Sequence, residues 1–184
     1  MEYTCRICGR QHTIYFGVKG ENSSEVRKLT QASTSVVHYD KEKGIYFIDN
    51  TLVVLPAVLL IPTAYHTPLW FVTWVEVDQS LYTAIEDDQT VIECRMFENL
   101  PPYYDQAKGL RCSIKHLPDE DNKPLITITE DSPLRTDQQK GLSKAALIRL
   151  MDVLHHDKIY TGRVGRNLED IYLDQLAARI ELDR

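Results

Sequence analysis

The chain has 184 residues, 43% of them hydrophobic and 26% charged, an ordinary globular composition that excludes a disordered or fibrous protein. That length suits one domain with an appendage, large enough to bury a core without disulfide staples. A formal net charge of −6 argues against a nucleic-acid binder, which needs surplus Lys and Arg to neutralise phosphates. It fits simple solubility or a basic protein partner.

The N-terminal residues Met-Glu-Tyr-Thr-Cys have neither the basic start nor the apolar stretch of a secretory signal. A reducing, cytoplasmic setting is therefore expected, where Cys-x-x-Cys reads as metal or redox chemistry. Cys5-x-x-Cys8-Gly9 is the strongest local signal. The two-residue gap brings both thiols to one point through a tight turn, and the glycine relieves backbone crowding, as in half of a tetrahedral zinc site. His12 supplies a third ligand if the chain curls back.

A fourth ligand has to come from elsewhere, and Cys112 and His116 are the candidates. On one strand they would share a face about 13 Å apart at about 3.3 Å per residue, so at most one joins. His116, at a strand end, is preferred. Four protein ligands would make the site structural, three plus water catalytic. The plainer alternative keeps Cys5 and Cys8 as reduced thiols in a turn, with His12 on the surface. A redox dithiol fits less well, because no strand of a βαβ unit precedes the motif.

Residues 17–43 are polar and weakly patterned, a loop with a short helix near 25–31 that Ser24 caps. Residues 44–48 and 51–55 are β-rich runs flanking Asp49-Asn50, a tight hairpin because both turn residues tolerate positive φ. The apolar run 52–62 is far short of the ~20 residues of a bilayer span, and Pro56 interrupts it, so no membrane span is expected. Residues 69–77 read as a strand with Trp70, Val72, Trp74 and Glu76 on one face. A short helix follows from Ser80 to about residue 86, then strands at 91–97, 110–116 and 125–129.

After Pro133 the period changes to helical. Thr136 and Gln139 fit a capping box, and Ser143 caps a second start. Leu147, Leu150, Met151 and Leu154 recur at i, i+3, i+4, i+7. His155-His156-Asp157 reads as a solvated helix end rather than a metal site. Asn167 caps a last amphipathic helix with Leu168, Tyr172, Leu176 and Ile180 in one stripe, a surface for self-association. Strands followed by helices imply an α+β fold, a mainly antiparallel sheet with helices packed on one face, plus that C-terminal helix. Residues 1–157 form the domain, and 158–184 a linker and helical extension.

Several short blocks in order, CRICGRQH (5–12), VVLPA (53–57), FVTWVEV (71–77), LRCSIKH (110–116), NKPLITI (122–128) and SPLRTDQQKGLS (132–143), resemble a bacterial family known as domain of unknown function 2199, over about residues 3–157. The chain has Ser132 where that family is expected to show a histidine, and Asp49-Asn50 in place of an arginine and a glycine. The resemblance implies a fold class and no activity.

Other residues read as structural. His38 and His66 flank apolar segments. The acidic runs 86–88 and 119–121 are solvated turns, since a general acid/base pair needs partial burial to separate its pKa values. Trp70 and Trp74 serve packing rather than base stacking. No phosphate loop, Gly-x-Gly-x-x-Gly, His-Glu-x-x-His or Gly-x-Ser-x-Gly motif is present, and nothing asks for an enzyme. The expectation is a non-enzymatic protein-binding module, an immunity-type or regulatory partner that holds a basic, toxin-like protein. The alternative is a zinc protein using Cys5, Cys8, His12 and His116, structural or, less readily, hydrolytic.

Overall fold

The computed structural model describes residues 1–14, 16–19, 24–32, 35–82, 91–100, 104–115 and 123–156. In chain order the elements are β1 (Glu2–Thr4), β2 (Gln11–Thr13), β3 (Gly17–Lys19), α1 (Ser24–Ala32), β4 (Val37–Asp40), β5 (Ile45–Ile48) and β6 (Leu52–Ile61). They continue with β7 (Leu69–Asp78), α2 (Gln79–Tyr82), β8 (Val91–Met96), β9 (Arg111–Lys115), β10 (Leu125–Ile128), α3 (Pro133–Lys140) and α4 (Lys144–His156). The chain divides into two compact units. One takes its described residues from 1–19, 60–71 and 137–156, the other from 24–59 and 72–136.

The larger unit is built on a closed five-stranded barrel in the order β7-β8-β9-β10-β6, completed by pairing of β6 with β7. The β7–β8, β8–β9 and β9–β10 pairs are antiparallel, while β10 lies parallel to β6 through Leu125↔Val58 and Ile126↔Leu59. β5 and β4 extend the sheet from β6 as antiparallel neighbours. β6 meets β5 along Leu52–Val54 and β10 at Val58 and Leu59. Pro56, which has no amide proton to offer a ladder, falls between the two.

Burial explains why these residues make these strands. β8 alternates, with Ile92, Cys94 and Met96 buried and Val91, Glu93 and Arg95 exposed, the period-2 pattern of a one-sided strand. β6 does not alternate, and Val53, Val54, Ala57 and Leu59 are all fully buried. A continuous apolar run of this kind belongs to a strand covered on both faces. α1 presses Val26 into a cluster with Ile48, Val54, Trp74 and Phe97, and its Glu25 is ion-paired with both Lys28 and Lys108.

The β5–β6 connection is the tight turn expected at Asp49-Asn50. Both residues have positive φ, 50° and 53°, although the second strand starts one residue later and runs on to Ile61.

The expectation of an α+β sheet with helices on one face is overturned. Strands and bridges make up 43% of the described residues, and the strands close on themselves instead of lying open beneath a helical layer. Periodicity shows that a segment is a strand but not which strand it meets. One pairing the barrel needs, β10 with β6, joins segments far apart in sequence, and no local pattern encodes it. Four short strands, β1 to β4, also went unread, because three- or four-residue runs of mixed polarity carry no period. The last amphipathic helix, and with it the proposed 158–184 extension, lies outside the described residues. No described helix is long and apolar enough to cross a membrane.

In the smaller unit, β1 and β2 form an antiparallel hairpin with Tyr3 opposite His12. α4 buries Leu147, Leu150, Met151 and Leu154, the stripe expected from its period, and the Ser143 hydroxyl accepts the Ala146 amide as its cap. α3, whose first residues belong to the larger unit, starts earlier than expected, with Ser132 capping the Arg135 amide. Between the two helices Gly141 has φ +79°, and a Cβ there would stand 3.1 Å from the Pro62 carbonyl oxygen, so any side chain at this position would be both strained and crowded.

Candidate metal centre

The turn between β1 and β2 is the Cys-x-x-Cys-Gly knuckle. The Cys5 amide donates to the Arg10 carbonyl at 2.8 Å, and the Gly9 amide to the Cys5 carbonyl at 2.9 Å. Gly9 has φ +71°, a left-handed conformation that costs an L side chain about 1–2 kcal/mol. Inside this loop the Ile7 amide points at Cys5 Sγ, 3.4 Å away, a donor placed to favour a thiolate. Cys5 is buried and Cys8 exposed.

β2 then returns His12 to the knuckle, where its Nε2 lies 3.2 Å from Cys8 Sγ. The other sulfur is met from the far end of the chain: His156, the last residue of α4, places Nε2 3.2 Å from Cys5 Sγ. The four ligand atoms of Cys5, Cys8, His12 and His156 all fall within 4.8 Å of one another. Two thiols and two imidazoles so gathered can hold a metal ion.

The surroundings hold this set in place. Asp152, one turn before His156 on α4, is only 3% exposed. Its Oδ2 accepts Arg6 Nε at 2.9 Å and its Oδ1 the Arg6 amide at 3.3 Å. Burial alone would raise its pKa, yet the hydrogen bonds from Arg6 and Cys5 hold it below the usual value. Cys5 is pushed the other way, upward, chiefly by desolvation and against the amides of Cys8 and Ile7. A bound cation reverses that balance by deprotonating the thiol it touches.

The pKa of His12 is lowered by desolvation and by the neighbouring His155 and His156, which keeps it the neutral ligand a metal requires. His155 stacks on His12 at 4.4 Å between ring centroids and lies 2.8 Å from the Thr13 carbonyl through its Nε2. Tyr3 completes the aromatic lining, 6.1 Å from His12 and 6.2 Å from His155.

Of the residues expected at a metal, Cys5, Cys8 and His12 are brought together, and His116 lies outside the described residues. Cys112, the other candidate, is buried in the barrel against Cys94. His156 was the residue missed. A His-His pair ending a helix also suits the helix dipole, and nothing local says that this helix end returns to residue 5. Trp70 and Trp74 are core residues, 4% and 7% exposed, as expected, while His38 and His66 stand exposed. The acidic runs 86–88 and 119–121 lie outside the described residues.

Comparison of the chain with protein-family models, curated proteins and solved structures finds no match.

Proposed function

We propose that Cys5, Cys8, His12 and His156 form a structural zinc site, and that the protein works by binding rather than catalysis. The observation that carries the first part is the convergence of four ligand atoms within 4.8 Å. Zinc with sulfur at about 2.3 Å and nitrogen at about 2.0–2.1 Å sets tetrahedral donor separations of roughly 3.3–3.8 Å. The two sulfur–nitrogen contacts of 3.2 Å need only small adjustments to meet that. Two soft thiolates with two imidazoles select zinc over hard oxygen-seeking cations. Four protein ligands leave no position for a substrate or an activated water.

Bound there, zinc ties the start of the chain to the end of α4 and does no chemistry. A unit stabilised in this way is suited to a binding protein, and the net charge of −6 favours a basic protein as its partner, in an immunity-type or regulatory role.

Elemental analysis of protein prepared without an affinity tag tests the metal reading. One equivalent of zinc is expected, lost in Cys5→Ser. Less than a tenth of an equivalent in the wild type would refute it. The partner reading predicts a stoichiometric complex from the native host that dissolves as salt is raised. A complex indifferent to salt would contradict the charge argument.

A further inference from the structure

The barrel holds a second pair of thiols that the metal centre does not use. Cys94 and Cys112 sit directly opposite each other on β8 and β9, with their sulfurs 3.2 Å apart. Both are free thiols, 8% and 0% exposed. Directly opposed residues of an antiparallel pair have Cα atoms about 4.5–5.5 Å apart, inside the range of about 4.4–6.8 Å that disulfides span. The backbone is therefore already placed for a bond. Side-chain rotation alone has to bring the sulfurs to the bonding distance of about 2.05 Å.

The two cysteines differ in access. Cys94 lines a surface depression of about 280 Å³ together with Glu76, Arg95 and Arg111. Cys112 does not line it. A space of that size holds several molecules as small as water, at about 30 Å³ each, and so admits hydrogen peroxide.

We propose that Cys94 and Cys112 are a redox pair that hydrogen peroxide converts to a cross-strand disulfide. The sulfur of Cys94 attacks one peroxide oxygen, the O–O bond breaks, and Cys94 becomes a sulfenic acid with release of water. The Cys112 sulfur then attacks that of Cys94, the S–O bond breaks, and a second water leaves. Two thiols lose two protons and two electrons, and one peroxide takes them up to become two waters. The hydrogen bond with Cys112 and burial both push the Cys94 thiol pKa upward, which keeps it protonated. The pair is thus slow to react and responds to sustained exposure, not to a brief pulse.

The test uses the wild-type protein. After prolonged exposure to hydrogen peroxide it is unfolded with an alkylating agent, digested and mapped by mass spectrometry. The expected product is a peptide pair linked through residues 94 and 112, separated again by dithiothreitol. An unfolding temperature raised by roughly 5–10 °C should accompany it. The Cys5 and Cys8 peptides are read separately, so the outcome does not depend on the metal site. Full alkylation of both Cys94 and Cys112 after Cys8 has been oxidised overturns the proposal. So does a link from either to Cys5 or Cys8, or conversion of Cys94 to a sulfinic acid without a link. In Cys112→Ser, trapping of a sulfenic acid at residue 94 by dimedone supports the order of steps. Should that variant not fold, the wild-type map decides alone.

Discussion

Cys5 Sγ and His156 Nε2 are 3.2 Å apart across 151 positions of sequence, so the hairpin that opens the described chain is tied to the helix that closes it. Metal removal is expected to act at both ends at once. A chelator should lower the unfolding temperature of the wild type and leave His156→Ala, already short of a ligand, little changed. Thermal melts with and without chelator check this, and equal losses in the two proteins would count against His156 as a ligand.

Gly9 offers a finer probe of the knuckle. Nothing lies within 4 Å of a Cβ built at this position, so Gly9→Ala meets no clash and costs only the left-handed φ of 71°. That is about 1–2 kcal/mol of stability, readable in a denaturant titration, with the metal content unchanged.

Asp152 holds Arg6 by two hydrogen bonds beside the sulfur of Cys5. In Asp152→Asn the new amide group presents a donor where an acceptor is required. A partner behind the ligands of this kind is worth about 10–100-fold in metal affinity. Competition against a fluorescent zinc chelator measures it. Affinity within twofold of the wild type would show that Asp152 only packs.

Glu25 provides a pH test in the barrel unit. Its pKa is lowered, first by the hydrogen bond from Lys108 and then by that from Lys28. A folded-state value below the unfolded one means that the stabilisation is present above the ordinary glutamate pKa of 4.5 and is lost as pH falls through the folded value. Glu25→Gln should therefore be less stable by a few tenths to about 1 kcal/mol at neutral pH. The gap should close in acid, as urea melts across the pH range would show.

Leu59, fully buried where β6 meets β10, tests the barrel itself. Leu59→Ala is expected to cost about 2–5 kcal/mol from lost burial and the cavity left behind. An unchanged urea midpoint would contradict the closure described here.

How much of this could be read beforehand depends on distance along the chain. The Asp49-Asn50 turn, the strand at β8 and the α4 stripe are local patterns of φ tolerance, β-propensity or period, and all were legible. So was the knuckle, because Cys5, Cys8 and Gly9 encode their own turn. What could not be read rests on contacts between distant segments: Ile126 beside Leu59, which joins β10 to β6, and His156 beside Cys5. One local signal does bear on the closure. The unbroken apolar run of β6, with Val53 and Val54 both buried, already implied a strand covered on both faces, which an open sheet with helices on one side serves less directly than a barrel.

The parallel pairing of β10 with β6 also sets a timetable. At about 5–20 residues per second of synthesis, Ile126 is made roughly 3–13 s after Leu59. Through that interval the nascent β6 waits for its neighbour with an apolar edge ready to pair with any extended segment it meets. Pro56, lacking an amide proton, is the one break in that edge's donor row. The order of strands thus gives the growing chain a period of vulnerability on the ribosome that ends when β10 arrives.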